Sequence, residues 1–308
     1  MKDFKGTKII GVDNGYGNTK TANHCFRTGI LGYDAEPLFT RDMLVYNGRY
    51  YLIGEGHKEF IGEKTGDDEF YLLTLAAIAM ELNDAGLTEA DVFIAAGLPL
   101  TWTAGQKGKY REYLTQNKEV SFTFRKEDYH IRIVGAAIYP QGYAAIAQQA
   151  AAMEGMNMVA DIGNGTMNVL YICDGVPLSA KMYTEKCGTY QCTLAVQEAY
   201  SREMQSEISY EIIEKVLRTG TDKSIAPAAL KLIRSVAADY VADVFRRLRE
   251  HGYDENTMML YISGGGGCLV KNFYKYKPGR IVFIDDICAA AKGYEYFVET
   301  QMEAGVIG

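Results

Sequence analysis

The stretch IIGVDNGYGNTK (residues 9–20) crowds Gly11, Gly15 and Gly17 around Asp13, Asn18 and Lys20, directly after an apolar run. It reads as a buried strand, a tight glycine turn and a returning strand, the last drawn through NTKTANHCF (18–26). A copy in kind follows 148 residues later as ADIGNGTMN (160–168). Both run apolar–Asp–x–Gly–x–Gly, so Asp13 matches Asp161, Gly15 matches Gly163 and Gly17 matches Gly165. An offset close to half of the 308 residues implies two similarly built domains, each offering one glycine hairpin to a shared cleft.

These residue types suit one kind of chemistry. Glycine lets a backbone bend through positive φ and approach a ligand with no Cβ in the way. Successive N–H groups in such turns form a concavity that takes an anion. An Asp at the end of each first strand can hold Mg²⁺, mostly through waters, because that ion gives up its hydration shell reluctantly. With Lys20 to neutralise a phosphate oxygen, the two hairpins make a magnesium–triphosphate clamp. A dinucleotide loop fits worse: its G-x-G-x-x-G opens a helix, whereas residues 18–26 read as strand and no third glycine follows. The P-loop pattern G-x-x-x-x-G-K-[ST] is absent. A plain hairpin would account for either copy alone. SGGGG (263–267), between the strand-like MMLYI and CLVKNFYKY, adds a strand-to-helix turn whose amides suit a phosphate or nucleoside.

Elsewhere strands and helices alternate. Asn47-Gly48 marks a hairpin within residues 41–56. Residues 68–86 have helical spacing and stop at Gly86, and 90–100 is a strand closed by Gly-Leu-Pro. A hairpin and strand are expected over 121–140, then a helix over 141–155 ending at Gly155. Helices are also expected over 189–204, 225–252 and 287–305, with a strand at 280–286. This alternation implies an α/β fold with substantially parallel sheets. Arg246, Arg247 and Arg249 lie on a helix among acids and read as a solvated face.

Composition narrows the function. The net charge of −7 argues against direct nucleic-acid binding, which needs Lys and Arg against phosphate, but leaves room for an adaptor. Six cysteines without a CxxC pair and four scattered histidines give a structural zinc site little support. The N-terminus returns to charge too soon for a signal peptide, and no apolar run approaches the ~18 residues of a membrane span, so a cytoplasmic protein is expected.

The sequence resembles a known superfamily. GVDNGYGNTKTA (11–22), VADIGNGTMNVLYICDG (159–175) and YISGGGGCLVKNF (261–273) are similar to the phosphate-1, phosphate-2 and adenosine motifs of the actin and heat-shock-chaperone ATPases. RYYLIGEG (49–56), AAGLPLTW (95–102) and IYPQGYAAI (138–146) look most like the ParM/StbA branch, bacterial actin-like plasmid segregation proteins. The resemblance implies two actin-like, ribonuclease-H-like domains with mixed sheets flanking a nucleotide cleft. Residues 1–155, with the C-terminal helix 289–308 packed back on them, would form the first and 156–288 the second. Asp13 and Asp161 would hold Mg²⁺ through water. Gly15, Tyr16, Gly17, Asn18 and Lys20 would form the first phosphate loop, and Gly163, Asn164, Gly165 and Thr166 the second. Gly264, Gly265, Gly266 and Gly267, with Leu269, would bind the nucleoside. Gln141 matches the Gln or Glu that orients the attacking water, a placement role since a carboxamide takes no proton readily. Where many relatives carry an Asp and actin a His, this chain has Asn168, which can hold a water but not act as a base. Slow hydrolysis would follow, unless Asn168 simply closes its own hairpin.

The expected activity is therefore a filament-forming ATPase using ATP/ADP and Mg²⁺, with GTP left open. Its partners would be itself, as a polymer, and a DNA-binding adaptor at a plasmid site, with no membrane and no direct nucleic acid. The main alternative is a small-molecule or acyl-phosphate kinase on the same core, which needs a base for the acceptor; no spare Asp stands out for that role. A non-enzymatic scaffold is argued against by Asp13, Lys20, Gln141 and Asp161 occurring together.

Overall fold

The structure is a computed structural model that describes residues 1–38, 41–56, 63–150 and 152–307. Contacts divide the chain into two compact units, Met1–Gln149 with Asp286–Gly308, and Ala150–Asp285.

The first unit opens with β1 (Lys2–Phe4), β2 (Thr7–Asn14), β3 (Asn18–Lys20), β4 (Cys25–Arg27), β5 (Ile30–Tyr33), β6 (Met43–Tyr46) and β7 (Arg49–Ile53). Helix α1 (Glu69–Asp84), β8 (Glu89–Leu98), α2 (Leu100–Leu114), β9 (Glu119–Phe124) and β10 (Glu127–Pro140) follow. Its sheet runs β4-β3-β2-β8-β10-β9-β6-β7-β5, with β1 beside β2. Strands β2, β8 and β10 are mutually parallel, and β2–β3–β4 is an antiparallel meander. Ile9 to Asn14 are buried without a break, as a central parallel strand covered on both faces requires.

In the second unit a short helix α3 (Ala147–Ala150) at the boundary leads to β11 (Met156–Ile162), β12 (Met167–Cys173) and β13 (Val176–Glu185). Then come α4 (Thr189–Met204), α5 (Tyr210–Thr219), α6 (Pro227–Glu250), β14 (Met259–Ser263), α7 (Gly266–Phe273) and β15 (Ile281–Phe283). The five strands run β13-β12-β11-β14-β15. The meander β11–β12–β13 is antiparallel and β11, β14 and β15 are parallel, so this order repeats β4-β3-β2-β8-β10 strand for strand. The buried side of α6 is Ile233, Ala237, Val241, Val244 and Leu248, one helical stripe against the core.

Helix α8 (Ala289–Glu303) returns to the first unit. It lies so close that a Cβ on Gly11 would stand 2.1 Å from the Ala291 carbonyl oxygen, and one on Gly293 1.9 Å from that of Ala144. Glycine at these two positions is what allows the approach.

Several sequence expectations change. NTKTANHCF is not one strand but β3 and β4, because the Thr21 hydroxyl accepts the His24 amide at 2.9 Å and folds a turn between them. The helix expected over 141–155 shrinks to a 3-10 turn (Ala144–Ile146) and α3, since Gly142 takes φ +84° and delays its start; Ala151 lies outside the described residues. Gly266 and Gly267 belong to α7 rather than to the turn before it. Helices α2 and α5 were not anticipated. The 41–56 and 121–140 hairpins form, the first through Asn47 and Gly48 and the second through Arg125 and Lys126, all at positive φ. Arg246 and Arg247 pair with Asp243, as a solvated charged face does.

Candidate functional site

Both repeated acids stand one residue before the end of the first meander strand, Asp13 in β2 and Asp161 in β11. Pairing places Lys20 across from Asp13 and Asn168 across from Asp161, so Lys20 and Asn168 occupy equivalent positions. Lys20 Nζ lies 3.7 Å from Asp13 Oδ2.

Each acid is also gripped by a neutral donor. Gln141 Nε2 donates to Asp13 Oδ1 at 2.9 Å, and the Gln141 amide donates to the Leu98 carbonyl at 2.8 Å, anchoring it at the end of β8. In the second unit Ser263 Oγ donates to Asp161 Oδ1 at 2.8 Å, from the parallel strand beside it. A donor on one carboxylate oxygen fixes the rotamer of each acid. Gln141 commits one of its two side-chain N–H groups to Asp13. Ser263 was missed by sequence reasoning. Its place immediately before the glycine run was the available signal.

The hairpin glycines do not adopt the positive φ expected of them. Gly15, Gly17, Gly163 and Gly165 are not among the positive-φ residues. Gly15 is needed because a Cβ there would stand 2.8 Å from the Asn18 carbonyl oxygen. Gly264 does take φ +80°, and its missing Cβ leaves room for the Ile162 carbonyl and Asp161 Oδ1. Gly266 presses on the Ile162 side chain, whereas Gly265 and Gly267 have room around them.

Polar groups under the first hairpin were not read from the sequence. Asn14 is fully buried and donates to Thr74 Oγ1 at 2.9 Å and Tyr110 OH at 3.2 Å, while accepting from Thr19 at 3.3 Å. Thr19 in turn meets Thr28 at 2.9 Å. This satisfied network holds the turn rigidly. The second hairpin is held by α4: the Thr189 and Tyr190 amides donate to the Gly163 and Asn164 carbonyls at 3.0 and 2.9 Å. A Cβ on Gly188 would come within 2.1 Å of the Asn164 oxygen, so glycine is required there too.

Not every expected site residue presents its side chain. The Tyr16 ring packs edge-on against Phe70 at 5.6 Å in the first core, and Leu269 is buried in the second. For both, only the backbone suits ligand contact. Asn168 is buried and its Oδ1 accepts the Thr184 hydroxyl at 2.9 Å. Asn18 is exposed, and Asn164 and Thr166 are partly so. A groove of about 520 Å³ lined by Glu89, Asp91, Ser121, His130 and Arg132 opens at the opposite ends of β8 and β10 from Leu98 and Gln141, and takes no part in this site.

Residues 11–143 match the family described as actin like proteins N terminal domain. An archaeal actin homologue superposes with TM-score 0.77 at 19% identity, over 96% of this chain and 99% of that one. The chain has an actin-like fold. Two further relatives span the actin-like chain end to end. A ParM from a 15-stranded Clostridium botulinum filament aligns at 19% identity and TM-score 0.75, covering 96% of this chain and 99% of its own. A Bacillus thuringiensis ParM solved with ATP aligns at 15% and 0.67, covering 97% and 100%. No curated protein matches the sequence.

Proposed function

We propose that this actin-like chain is a nucleotide-dependent, filament-forming ATPase that moves plasmid DNA through an adaptor protein. The observation that carries the reading is the repeated Asp–glycine hairpin, each with its acid held by a neutral donor, in a chain of actin-like fold. Solved relatives add support: the archaeal homologue was also solved in complex with ADP, one ParM with ATP, and another as a filament.

In this reading each hairpin binds nucleotide phosphate. Their amides and Lys20 hold phosphate oxygens, and the Gly264–Gly267 turn with the start of α7 receives the nucleoside side. Asp13 and Asp161 would hold Mg²⁺ largely through water; among the described residues no three His, Cys, Asp or Glu side chains gather into a protein-only metal cage. Bound magnesium would neutralise charge on the transferring phosphoryl group. Gln141 places the attacking water, and Asn168, tied to Thr184, takes no proton. With Asn168 unable to act as a base, catalysis would rest on placement and electrostatics and would be slow. A slow step suits a polymer whose nucleotide must outlive assembly.

Head-to-tail contacts that do not close into a ring give a helical filament. The six cysteines stand as free thiols, the state that a reducing compartment maintains, and we place the protein in the cytoplasm. Among the described residues no helix is long and apolar enough to cross a membrane. Phosphate release from Mg-ATP with no acceptor added, together with pelleting at high protein concentration, is the expected result. Release only on addition of a small-molecule acceptor would instead establish the kinase alternative.

A further inference from the structure

Lys64 is 2% exposed and lies in neither hairpin. Its ammonium donates to the Asn14 carbonyl and, at 3.4 Å, to the Gly97 carbonyl. Those two oxygens belong to the C-terminal ends of the adjacent parallel strands β2 and β8. The Phe70 and Tyr110 rings lie 5.4 and 5.9 Å from the nitrogen, both within cation–π range. Asp13 is the charged group that acts on it, and Tyr110 is the titratable ring beside it. Among the described residues no carboxylate contacts Lys64. Burial pushes its pKa down to about 8, with Asp13 opposing that shift.

A buried cation is a costly way to satisfy two carbonyls. The second unit does the same job without one: the N-terminal amides of α4 hold the carbonyls of Gly163 and Asn164. A helix N-terminus carries about half a positive charge. Each glycine hairpin thus has a positive group donating to its backbone: two α4 amides to the Gly163 and Asn164 carbonyls in one unit, and in the other Lys64 to the Asn14 carbonyl, with its second bond tying in Gly97 of β8.

We propose that Lys64 is a positioning residue of the nucleotide site, holding the end of β2 against β8 so that the first glycine hairpin is set for phosphate. The bracing rests on the contacts above; its consequence for ligand rests on the nucleotide reading. Lys64 stays beneath the hairpin and touches no reacting atom.

The test compares wild type with Lys64→Met, nearly the same shape without charge or donor, and Lys64→Arg, which keeps both. Three quantities are measured: melting temperature without nucleotide, amide hydrogen exchange, and affinity for Mg-ADP by calorimetry. Lys64→Met is expected to melt no lower than wild type, because it relieves a buried charge. Its exchange rises over residues 13–20 while β8 and β10 keep their protection. Its Mg-ADP affinity falls about tenfold, the order expected for losing one hydrogen bond to a charged group, and Lys64→Arg recovers most of that loss. Unchanged exchange and affinity in Lys64→Met overturn the proposal. So does a lower melting temperature with exchange raised throughout the first unit, which makes Lys64 a purely structural residue. If Lys64→Met does not fold, Lys64→Arg decides: wild-type exchange at 13–20 supports the brace, and raised exchange refutes it. If wild type does not bind Mg-ADP while Lys64→Met loosens the hairpin alone, the brace stands and the nucleotide reading falls.

Discussion

At the scale of single residues, the two acids and their partners were the most legible part of the site. Asp13, Lys20, Gln141 and Asp161 carry charge or amide chemistry in a recognisable order, and the structure brings Lys20 and Gln141 onto Asp13. Ser263 had only its place before the glycine run as a signal, and Lys64, a lysine in a polar stretch, had no local signature. Three-dimensional pairing reveals both. Asp161→Ala is expected to lower phosphate release at least a hundredfold while nucleotide affinity falls far less, because the acid acts on the transferring group. Stopped-flow phosphate release and nucleotide titration separate the two effects. Gln141→Ala should lower kcat by about tenfold to a hundredfold with little change in KM, as removal of a placement group does. Lys64 also predicts a pH effect. Its folded pKa near 8 lies below its ordinary 10.5, so between these values the unfolded chain binds the extra proton and stability rises with pH. Denaturant melts at pH 7 and pH 10 should show wild type gaining relative to Lys64→Met.

At the scale of elements, hydrophobic periodicity located the central strands and the long helices, because burial on one or both faces writes itself into the sequence. Helix α5 carries the same signal, with Ile213, Val216 and Leu217 on one side and Gly220 at its end, over a stretch for which no element was expected. Helix α2 was hidden for a physical reason: it buries only Leu100, Tyr110 and Leu114 and contains Gly105 and Gly108, so it has no apolar stripe. The 141–155 segment misled in the other direction, being alanine-rich yet broken at Gly142. The tight seat of α8 gives a direct test. Gly293→Ala places a methyl 1.9 Å from the Ala144 oxygen and should destabilise the fold by about 1–3 kcal/mol, the usual range for overpacking, seen as an earlier urea midpoint with unchanged slope. Gly188→Ala should instead displace the second hairpin through Asn164, weakening nucleotide binding more than stability.

At the scale of the whole molecule, the 148-residue repeat of one motif corresponds to a shared run of five strands, β4-β3-β2-β8-β10 within the first sheet and β13-β12-β11-β14-β15 as the second. An internal duplication was therefore readable from a handful of glycines and acids, although the two units differ in what braces their hairpins. Self-assembly is less legible, because filament contacts are made by surface side chains with no periodic signature. The most direct test of the central claim is electron microscopy of the purified protein with a non-hydrolysable ATP analogue and Mg²⁺, beside a nucleotide-free control. Filaments that form with the analogue and are absent without it are the predicted result. No filaments in either condition at high protein concentration would contradict it.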